Sequence, residues 1–259
     1  MPLLSIITVC KNPGFSIVET VESVLSQSFK DYEYIVIDSC SSDGTVEYLK
    51  NLHSKKKINK LIIEKDKGIY QAINKGIRIA GGAYIGLIHA GDTYNQDVFK
   101  LLLPYFKNEE DIIYGSSNQI NQHNSSFIEL SKNSFKNLKK KNSIVHTSSF
   151  VKKKLYNQLG LYEEKFVIAG DFDFFKKALE QKFKFTYVPF VISNIKFGGI
   201  STKIDYIFTS AKECAQVVFG SDFYLKKFIY FINYVFTSFA HLIKIKILHN
   251  IKLLKKLFF

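Results

Sequence analysis

Tryptophan is missing from this 259-residue sequence, and proline and cysteine are scarce, with 4 and 3 residues. The cysteines Cys10, Cys40 and Cys214 show no metal-ligand spacing, which argues against a disulfide framework or a zinc site and favours a reducing compartment. Few prolines and 14 glycines exclude collagen-like and low-complexity chains. With 46% hydrophobic residues the chain can bury a large core, and its length suits one α/β domain with or without an appendage.

Acidic residues are absent beyond Asp222. Residues 223–259 contain seven lysines and no acid, so they carry +7 of the formal net charge of +13, and 13 − 7 leaves +6 for the rest. A basic chain of this size is compatible with nucleic acid, an anionic membrane or an anionic substrate as partner. The chain opens on an apolar strand-like run at 3–9, without the basic segment that starts a signal peptide, so we expect none.

Strand-like and helix-like patterns alternate through the first part of the chain. Short apolar runs with β-branched residues occur at 3–9, 34–38, 61–63 and 83–88, and amphipathic helical patterns separate them. This alternation predicts an α/β fold with a mostly parallel central sheet and helices on both faces. The second half is less regular, with predicted strands at 111–114, 127–130 and 184–191 and helices at 171–181 and 203–219.

Three aspartates, Asp38, Asp66 and Asp92, follow three of these strands. Because the carboxyl ends of parallel strands share one edge of a sheet, the three predict a polar binding site there, although each taken singly fits a turn former or helix cap. Neither a P-loop nor a Rossmann glycine loop follows the first strand, which disfavours both nucleotide-binding classes. A phosphate-bearing ligand would therefore need a divalent cation between itself and the carboxylates, with magnesium or manganese preferred.

Four segments of the chain, as an ordered set, resemble family-2 glycosyltransferases. They are PLLSIITV at 2–9, YIVIDS at 34–39 with SDGT at 42–45, DKGIY at 66–70 with NKGI at 74–77, and GAYIGLIHAGD at 82–92. The resemblance is dense over residues 2–94 and sparse between 95 and 200. It implies a GT-A fold, a nucleotide-sugar donor, a divalent metal (Mn²⁺ or Mg²⁺) and inversion at the anomeric carbon.

The resemblance also implies roles for individual residues of the first half. Thr8 corresponds to the position where the first strand meets the nucleotide, and Asp38 to the carboxylate that accepts a hydrogen bond from the base. Asp66 and Lys67 correspond to the loop that lines the nucleotide pocket.

The segment that ends at Asp92 matches the metal-binding motif of the family. Asp92 corresponds to the metal-coordinating aspartate, and Gly91 stands where many relatives have a second aspartate that helps hold ribose or metal. The Gly-Asp pair resembles that of capsule and colanic-acid-type transferases, so we expect it to belong to the donor site. An inactive, degenerate transferase is the alternative that this substitution leaves open.

In the second half, the segment IAGDFDF at 168–174 resembles the one that carries the catalytic base of the family. The resemblance implies that Asp171 takes the proton of the acceptor hydroxyl; the alternative is that it only caps the helix. His146 resembles a family histidine that contacts the donor phosphates or the metal, and a hydrogen-bonded core histidine is the alternative. FGGIS at 197–201 resembles the end of the catalytic domain.

The lack of tryptophan excludes the QxxRW motif of processive synthases and so favours transfer of a single sugar. In the tail, the longest uncharged run covers 228–243, which is short for a membrane span. On a helical wheel most tail lysines share one face and the opposite face is apolar, which resembles a helix lying in a membrane interface. The alternative is a helix that packs its apolar stripe on the catalytic domain.

Taken together, the sequence predicts a GT-A domain at 1–220, with a nucleotide-binding half at 1–94 and an acceptor half at 95–220, and a basic amphipathic helical tail at 221–259. The expected function is transfer of one sugar from a nucleotide-diphosphate sugar to a glycan or lipid-linked glycan acceptor in surface polysaccharide biosynthesis. We expect this at the cytoplasmic face of the cell membrane, with residues 223–259 on the anionic surface and no nucleic acid as partner. The alternatives are a sugar nucleotidyltransferase and a non-catalytic basic protein that binds a membrane surface or nucleic acid.

Overall fold

The computed structural model describes residues 1–120, 125–128, 133–196, 204–220 and 224–240, and these residues form a nine-stranded sheet flanked by helices. The strands are β1 (Leu4–Cys10), β2 (Tyr32–Asp38), β3 (Lys60–Ile63), β4 (Tyr84–Leu87), β5 (Thr93–Tyr94), β6 (Ile112–Ile120), β7 (Ser125–Ile128), β8 (Ser149–Lys152) and β9 (Phe185–Lys196). The helices are α1 (Ser16–Leu25), α2 (Thr45–Ser54), α3 (Ile69–Ile79), α4 (Val98–Leu101), α5 (Leu103–Lys107), α6 (Lys153–Leu159), α7 (Gly170–Glu180), α8 (Ile207–Phe219) and α9 (residues 224–240).

The strand order is β3-β2-β1-β4-β8-β6-β9-β5, with β7 added beside β6. The pairs β2–β3, β1–β2, β1–β4 and β6–β9 are parallel, whereas β4–β8, β6–β8, β6–β7 and β5–β9 are antiparallel. The predicted α/β architecture is confirmed, and the first four strands form the expected parallel unit. The whole sheet is mixed because the second half lacks the regular strand–helix alternation that parallel crossovers require.

The sheet is apolar on both faces, as the prediction of helices on both sides requires. Along β1, Ile7 and Val9 belong to one buried cluster and Leu4 and Ile6 to the other, because successive side chains of a strand point to opposite faces. The first cluster takes in side chains of α3, α6, α7 and α8, and the second takes in those of α1, α2, α4 and α5. Two packed layers thus hold the carboxyl ends of β1, β2 and β4 at one edge.

The second half contains longer strands than the sequence pattern predicts. β6 and β9 pair in parallel from Ile112 to Ile120, with register shifts around Ser116, so tertiary pairing extends both strands past their apolar portions. Part of the predicted strand at 127–130 and all of the FGGIS segment at 197–201 lie outside the described residues.

The described part of the tail is helical and packs on α8. The ring of Phe231 lies 6.1 Å from that of Phe208, and the ring of Tyr230 lies 5.7 Å from that of Phe219. The hydroxyls of Tyr234 and Ser210 are hydrogen-bonded at 2.7 Å. No helix within the described ranges combines the length and the apolar character needed to cross a bilayer.

Candidate active site

A tight turn after β4 presents Asp92 at the edge of the sheet. The backbone N–H of Asp92 donates to the carbonyl of His89 at 2.9 Å, and Gly91 within the turn has a φ of +103°, in the region that favours glycine. Thr20 of α1 fastens the turn, since its hydroxyl donates to the Asp92 carbonyl and accepts from the Gly91 N–H, both at 2.8 Å. A second aspartate at position 91 would be strained by this backbone, so the glycine has a local structural cause.

The side chain of Asp92 is a buried carboxylate, 8% exposed. Among the residues that the structure describes, it accepts one hydrogen bond, from the backbone N–H of Lys196 at 2.9 Å. Burial raises the pKa of Asp92 to about 6, and the Lys196 hydrogen bond and the nearby His146 offset only part of that rise. The site therefore favours a positive charge next to this carboxylate.

Asp171 is the second residue of α7 and is also 8% exposed. Its carboxylate accepts hydrogen bonds from the Phe172 N–H at 2.8 Å and from His146 Nδ1 and Asn142 Nδ2 at 3.2 Å each. Burial alone would raise the pKa of Asp171, but the bonds from His146 and Asn142 outweigh it and the pKa lies below its usual value. Ala169, and not Asp171, is the N-cap residue of α7, and the Asp171 carboxylate accepts one backbone N–H of the first turn, that of Phe172.

Two histidines connect the β4 turn with α7. His146 faces Asp171 through Nδ1, and its Nε2 lies 2.6 Å from Nε2 of His89, so one of these facing nitrogens carries a proton and the other accepts it. Burial, reinforced by His146, lowers the pKa of His89 to about 3. A continuous hydrogen-bonded chain thus runs from His89, three residues before Asp92, to Asp171.

The start of α7 is held in place by Tyr70 of α3. The Tyr70 hydroxyl donates to the Ile168 carbonyl and accepts from the Asp171 N–H at 3.3 Å. A Cβ at Gly170 would lie 2.7 Å from the Tyr70 ring, so only glycine permits this close approach.

Glu213 of α8 supports the same segment from the other side. Its buried carboxylate accepts the backbone N–H groups of Val167, Ile168 and Ala169 at 2.8 to 2.9 Å. Three consecutive donors on one carboxylate fix the path of the chain that leads into Asp171.

Asp38 and Thr8 lie at the neighbouring strand ends and are fully buried. Asp38 accepts from the Ser41 N–H at 2.7 Å, the Ser41 hydroxyl at 2.6 Å and the Cys10 thiol at 3.2 Å, which closes the turn after β2. The Thr8 hydroxyl is hydrogen-bonded to the Tyr34 hydroxyl at 3.0 Å. Their predicted roles at the nucleotide stay predictions.

Asp66 and Lys67 lie in the loop between β3 and α3. The Asp66 side chain is 3% exposed, and Lys75 Nζ lies 2.9 Å from its Oδ1, whereas Oδ2 has no hydrogen-bond partner within the described residues. The Asp66 N–H donates to the Ser39 hydroxyl at 3.0 Å, which ties this loop to the end of β2. Lys67 is exposed. The open Asp66 oxygen is an acceptor that suits the predicted nucleotide-lining loop.

The structure therefore links Asp171 through His146 to His89, which lies in the same turn as Asp92, and places Thr8, Asp38 and Asp66 at the ends of the neighbouring strands. Sequence reasoning assigned no role to His89, although it lies inside the motif that ends at Asp92. Tyr70, Asn142, Lys196 and Glu213 were also missed, because their partners are 29 to 104 residues away along the chain and leave no local signal.

These residues can hold a divalent cation only if a bound phosphate-bearing ligand supplies further oxygen atoms to it. No cluster of three or more His, Cys, Asp or Glu side chains suited to a metal occurs in the described ranges. Asp92 supplies one buried carboxylate, and its raised pKa means that a bound cation would stabilise its ionised form. A cation such as Mn²⁺ or Mg²⁺ commonly takes one or two carboxylates and completes its shell with phosphate oxygens and water, so Asp92 meets the protein's part of that requirement.

Known proteins resemble this chain in sequence and in fold. The family model described as glycosyl transferase family 2 matches residues 5–183. A PGL/p-HBAD biosynthesis glycosyltransferase of Mycobacterium bovis is 25% identical over 210 residues, which cover 78% of this chain and 80% of that protein. A putative teichuronic acid biosynthesis glycosyltransferase, TuaG of Bacillus subtilis, is 33% identical over 105 residues, 40% of this chain and 42% of that protein.

The fold also has solved counterparts. The mannosyltransferase PcManGT from Pyrobaculum calidifontis, whose structure holds GDP-Man and Mn²⁺, superposes with a TM-score of 0.61. It is 17% identical, and the match covers 83% of this chain and 63% of that protein. At this identity the likeness shows the GT-A fold alone.

Proposed function

The chain belongs to glycosyl transferase family 2, and from this premise we propose that it transfers one sugar, with inversion, from a nucleotide-diphosphate sugar to a glycan or lipid-linked glycan acceptor. The observation that carries the proposal is the pair of buried carboxylates, Asp92 and Asp171, with opposite pKa shifts at the carboxyl edge of the sheet. His146 links Asp171 to His89, which lies in the same turn as Asp92. Two differently tuned carboxylates suit two different tasks in one reaction.

Asp171 is assigned as the general base. It takes the proton of the acceptor hydroxyl while that oxygen bonds to the anomeric carbon and the bond from that carbon to the nucleotide diphosphate breaks. Its lowered pKa keeps it ionised, and the donors His146, Asn142 and Phe172 fix its orientation. Inversion follows from attack on the face opposite the departing diphosphate.

Asp92 is assigned as the protein ligand of Mn²⁺ or Mg²⁺, which when bound neutralises charge on the departing diphosphate. The structure of PcManGT, which holds Mn²⁺, supports the use of a divalent metal in general, and the choice of Asp92 rests on its burial and raised pKa. The proposed binding site of the nucleotide-sugar donor also includes Gly91, His146, Asp38, Asp66, Lys67 and Thr8. Among these, Oδ2 of Asp66, which has no hydrogen-bond partner in the described part of the chain, offers an acceptor.

The acceptor is proposed to be a surface-polysaccharide precursor held at the cytoplasmic face of the cell membrane. The name of TuaG refers to the biosynthesis of teichuronic acid, and the basic segment 223–259 suits an anionic leaflet. The proposed division of the chain is a GT-A domain at 1–220 followed by this tail.

The proposal is tested by thermal-shift measurements against a panel of UDP-, GDP- and dTDP-sugars, each with Mn²⁺ and with a chelator. We expect stabilisation by one nucleotide series, larger with metal, because ligands that bind only the folded state raise its stability. With the donor known, an acceptor-dependent assay should release a nucleoside diphosphate. In a separate assay with a nucleoside triphosphate and a sugar 1-phosphate, formation of a nucleotide sugar with release of pyrophosphate would instead identify a nucleotidyltransferase. A metal-supported donor that is neither transferred nor hydrolysed would identify a degenerate transferase.

A further inference from the structure

The helix α9 presents two different surfaces. One side, with Tyr230, Phe231 and Tyr234, packs on α8 through the ring contacts and the hydroxyl pair described above. Lys227, on the predicted basic face of the wheel, is half-buried on this same side. The side that holds the helix to the catalytic domain is therefore not the wide apolar face that the sequence shows.

That apolar face points away from the domain. At 100° per residue its side chains fall within an arc of about 100°. It consists of Leu225 (72% exposed), Phe228 (61%), Ile229 (51%), Ile232 (48%), Phe236 (77%) and Phe239 (36%). We name this set the exposed apolar arc.

The arc continues onto α8. Phe208 is 54% exposed, and its ring centroid lies 6.5 Å from that of Phe239. Single exposed apolar side chains are ordinary on a protein surface, but a contiguous aromatic and aliphatic patch marks an interaction surface.

The charge of the segment that carries the arc decides which partner fits it. Residues 223–259 contain seven lysines and no acid, and two of these lysines, Lys226 and Lys227, lie in the described helix α9. Two copies of the chain meeting through this same face would bring like charges together, because a two-fold contact uses the same patch on both sides. A surface with an apolar interior and anionic headgroups matches both the arc and the lysines.

We propose that the exposed apolar arc inserts into the interfacial layer of an anionic membrane, while the opposite side of α9 keeps the catalytic domain in a fixed orientation to that surface. This inference rests on the proposed location of the reaction at a membrane and adds the residues and the mode of contact. Attachment is through apolar insertion as well as charge, so it is not abolished by salt.

The fixed orientation has a structural basis in α8. Tyr234 of α9 is bonded to Ser210, and one turn further along α8, Glu213 holds the backbone that leads into Asp171. The helix that contacts the membrane and the segment that carries the proposed base are thus attached to the same element.

The absence of tryptophan provides a direct test, since a single introduced tryptophan is the only one in this 259-residue chain. F236W places it on the arc, and T237W places it at the polar edge of the same helix, about 100° away. On addition of vesicles of phosphatidylglycerol and phosphatidylcholine in equal parts, we expect a blue shift and quenching by brominated lipid for F236W and neither for T237W. Equal responses at the two positions would overturn the proposal.

A second test measures binding itself by co-sedimentation of the full-length protein with the same vesicles at low and high salt. The combined variant F228S/I232S/F236S should lower the partition coefficient at least about tenfold, because it removes three large apolar side chains from the inserted face. The matched variant N233S/T237S, on the polar edge, should bind like the wild type. Wild-type binding abolished by high salt would overturn apolar insertion.

Sedimentation without vesicles separates membrane insertion from self-association. A wild-type dimer that becomes monomeric in F228S/I232S/F236S would assign the arc to a second copy and overturn the proposal. All three changed side chains are exposed, so thermal stability and metal-supported donor binding should stay at wild-type values. If no nucleotide sugar binds any of these proteins, the proposed function fails while the membrane result stands.

Discussion

The turn after β4 and the start of α7 each place one buried aspartate in the site, and they treat it in opposite ways. Asp92 accepts a single backbone hydrogen bond within the described chain, and its pKa is raised to about 6. Asp171 accepts hydrogen bonds from His146, Asn142 and the Phe172 N–H, and its pKa is lowered. Equal burial therefore leaves one carboxylate in need of a cation and the other stably ionised.

The difference teaches that the neighbouring donors, and not the depth of burial, set the opposite pKa shifts of these two residues, on which their proposed tasks depend. A carboxylate without enough donors gains most from a metal ion, whereas one with three donors is oriented for proton transfer without further help. Each of the following changes alters one side of this comparison.

Removal of charge at α7 should have the largest effect. We expect Asp171→Asn to lower kcat about a thousandfold, because an amide cannot take up the proton of the attacking hydroxyl group. Metal-supported donor binding should be unchanged. The matched control is Asp173→Asn, two residues on in the same helix, where the side chain pairs with Lys177 at 2.8 Å and should matter little to transfer. Near-normal transfer by Asp171→Asn would assign the base elsewhere.

The equivalent change at β4 should act on binding. Asp92→Asn is expected to weaken metal-supported donor binding on the order of a hundredfold, since it removes the proposed anionic metal ligand. Titration calorimetry with Mn²⁺ and the donor measures this. Asp97→Asn is the control because Asp97 also follows the turn, and its positive φ of 56° is tolerated by asparagine. Unchanged metal dependence in Asp92→Asn would exclude the metal assignment.

The two carboxylates should also differ in pH dependence. The raised pKa means that Asp92 is protonated below about pH 6, so metal-supported donor binding should fall about tenfold for each pH unit below that value. The lowered pKa of Asp171 keeps it ionised over the same interval. Metal-supported donor binding, measured from pH 7.5 down over about two pH units in the wild type and in Asp92→Asn, checks this expectation. In the variant, the decrease of binding at acidic pH should be absent.

Removal of Glu213, which supports the segment leading into α7, should have the smallest effect on catalysis. Glu213→Ala leaves the N–H groups of Val167, Ile168 and Ala169 without their acceptor, which should cost about 2–4 kcal/mol of unfolding free energy. We expect kcat to fall several-fold with donor affinity unchanged, because only the segment leading into Asp171 is loosened. Urea denaturation and steady-state kinetics measure the two effects.

Glu180→Ala serves as the matched control for that prediction. Glu180 is an exposed glutamate at the end of α7 whose partner is Lys176, so its loss should change stability by less than about 1 kcal/mol. Equal losses in the two variants would mean that Glu213 has no special part in positioning the segment.

Much of the first half was predictable because its signals are local. The apolar runs of β1, β2 and β4 and the aspartates that follow them stand next to each other in sequence, and the glycosyltransferase assignment made from those motifs is confirmed by the family match over residues 5–183. The second half was predicted less completely. β6 and β9 extend beyond their apolar patterns because pairing along their whole length stabilises residues that alone favour no strand.

The site itself shows the same limit. Asp171 and His146 were found by resemblance to family segments, but their mutual contact and the bridge through His89 were not. Such contacts join residues 25 and 57 positions apart, and neither periodicity nor spacing encodes them.

The sequence by itself determined an α/β chain with aspartates at strand ends and an acid-free amphipathic tail that lacks tryptophan, because these depend on residue type and local period. Its ordered motifs also resemble glycosyl transferase family 2, which the family match confirms. Only the tertiary structure decided that the Asp92 carboxylate has a single donor among the described residues while that of Asp171 has several, since this depends on Lys196, Asn142 and His146, which are distant in sequence. It also decided which side of α9 is occupied by the domain, because the wheel shows the faces of a helix but not which of them a neighbour covers.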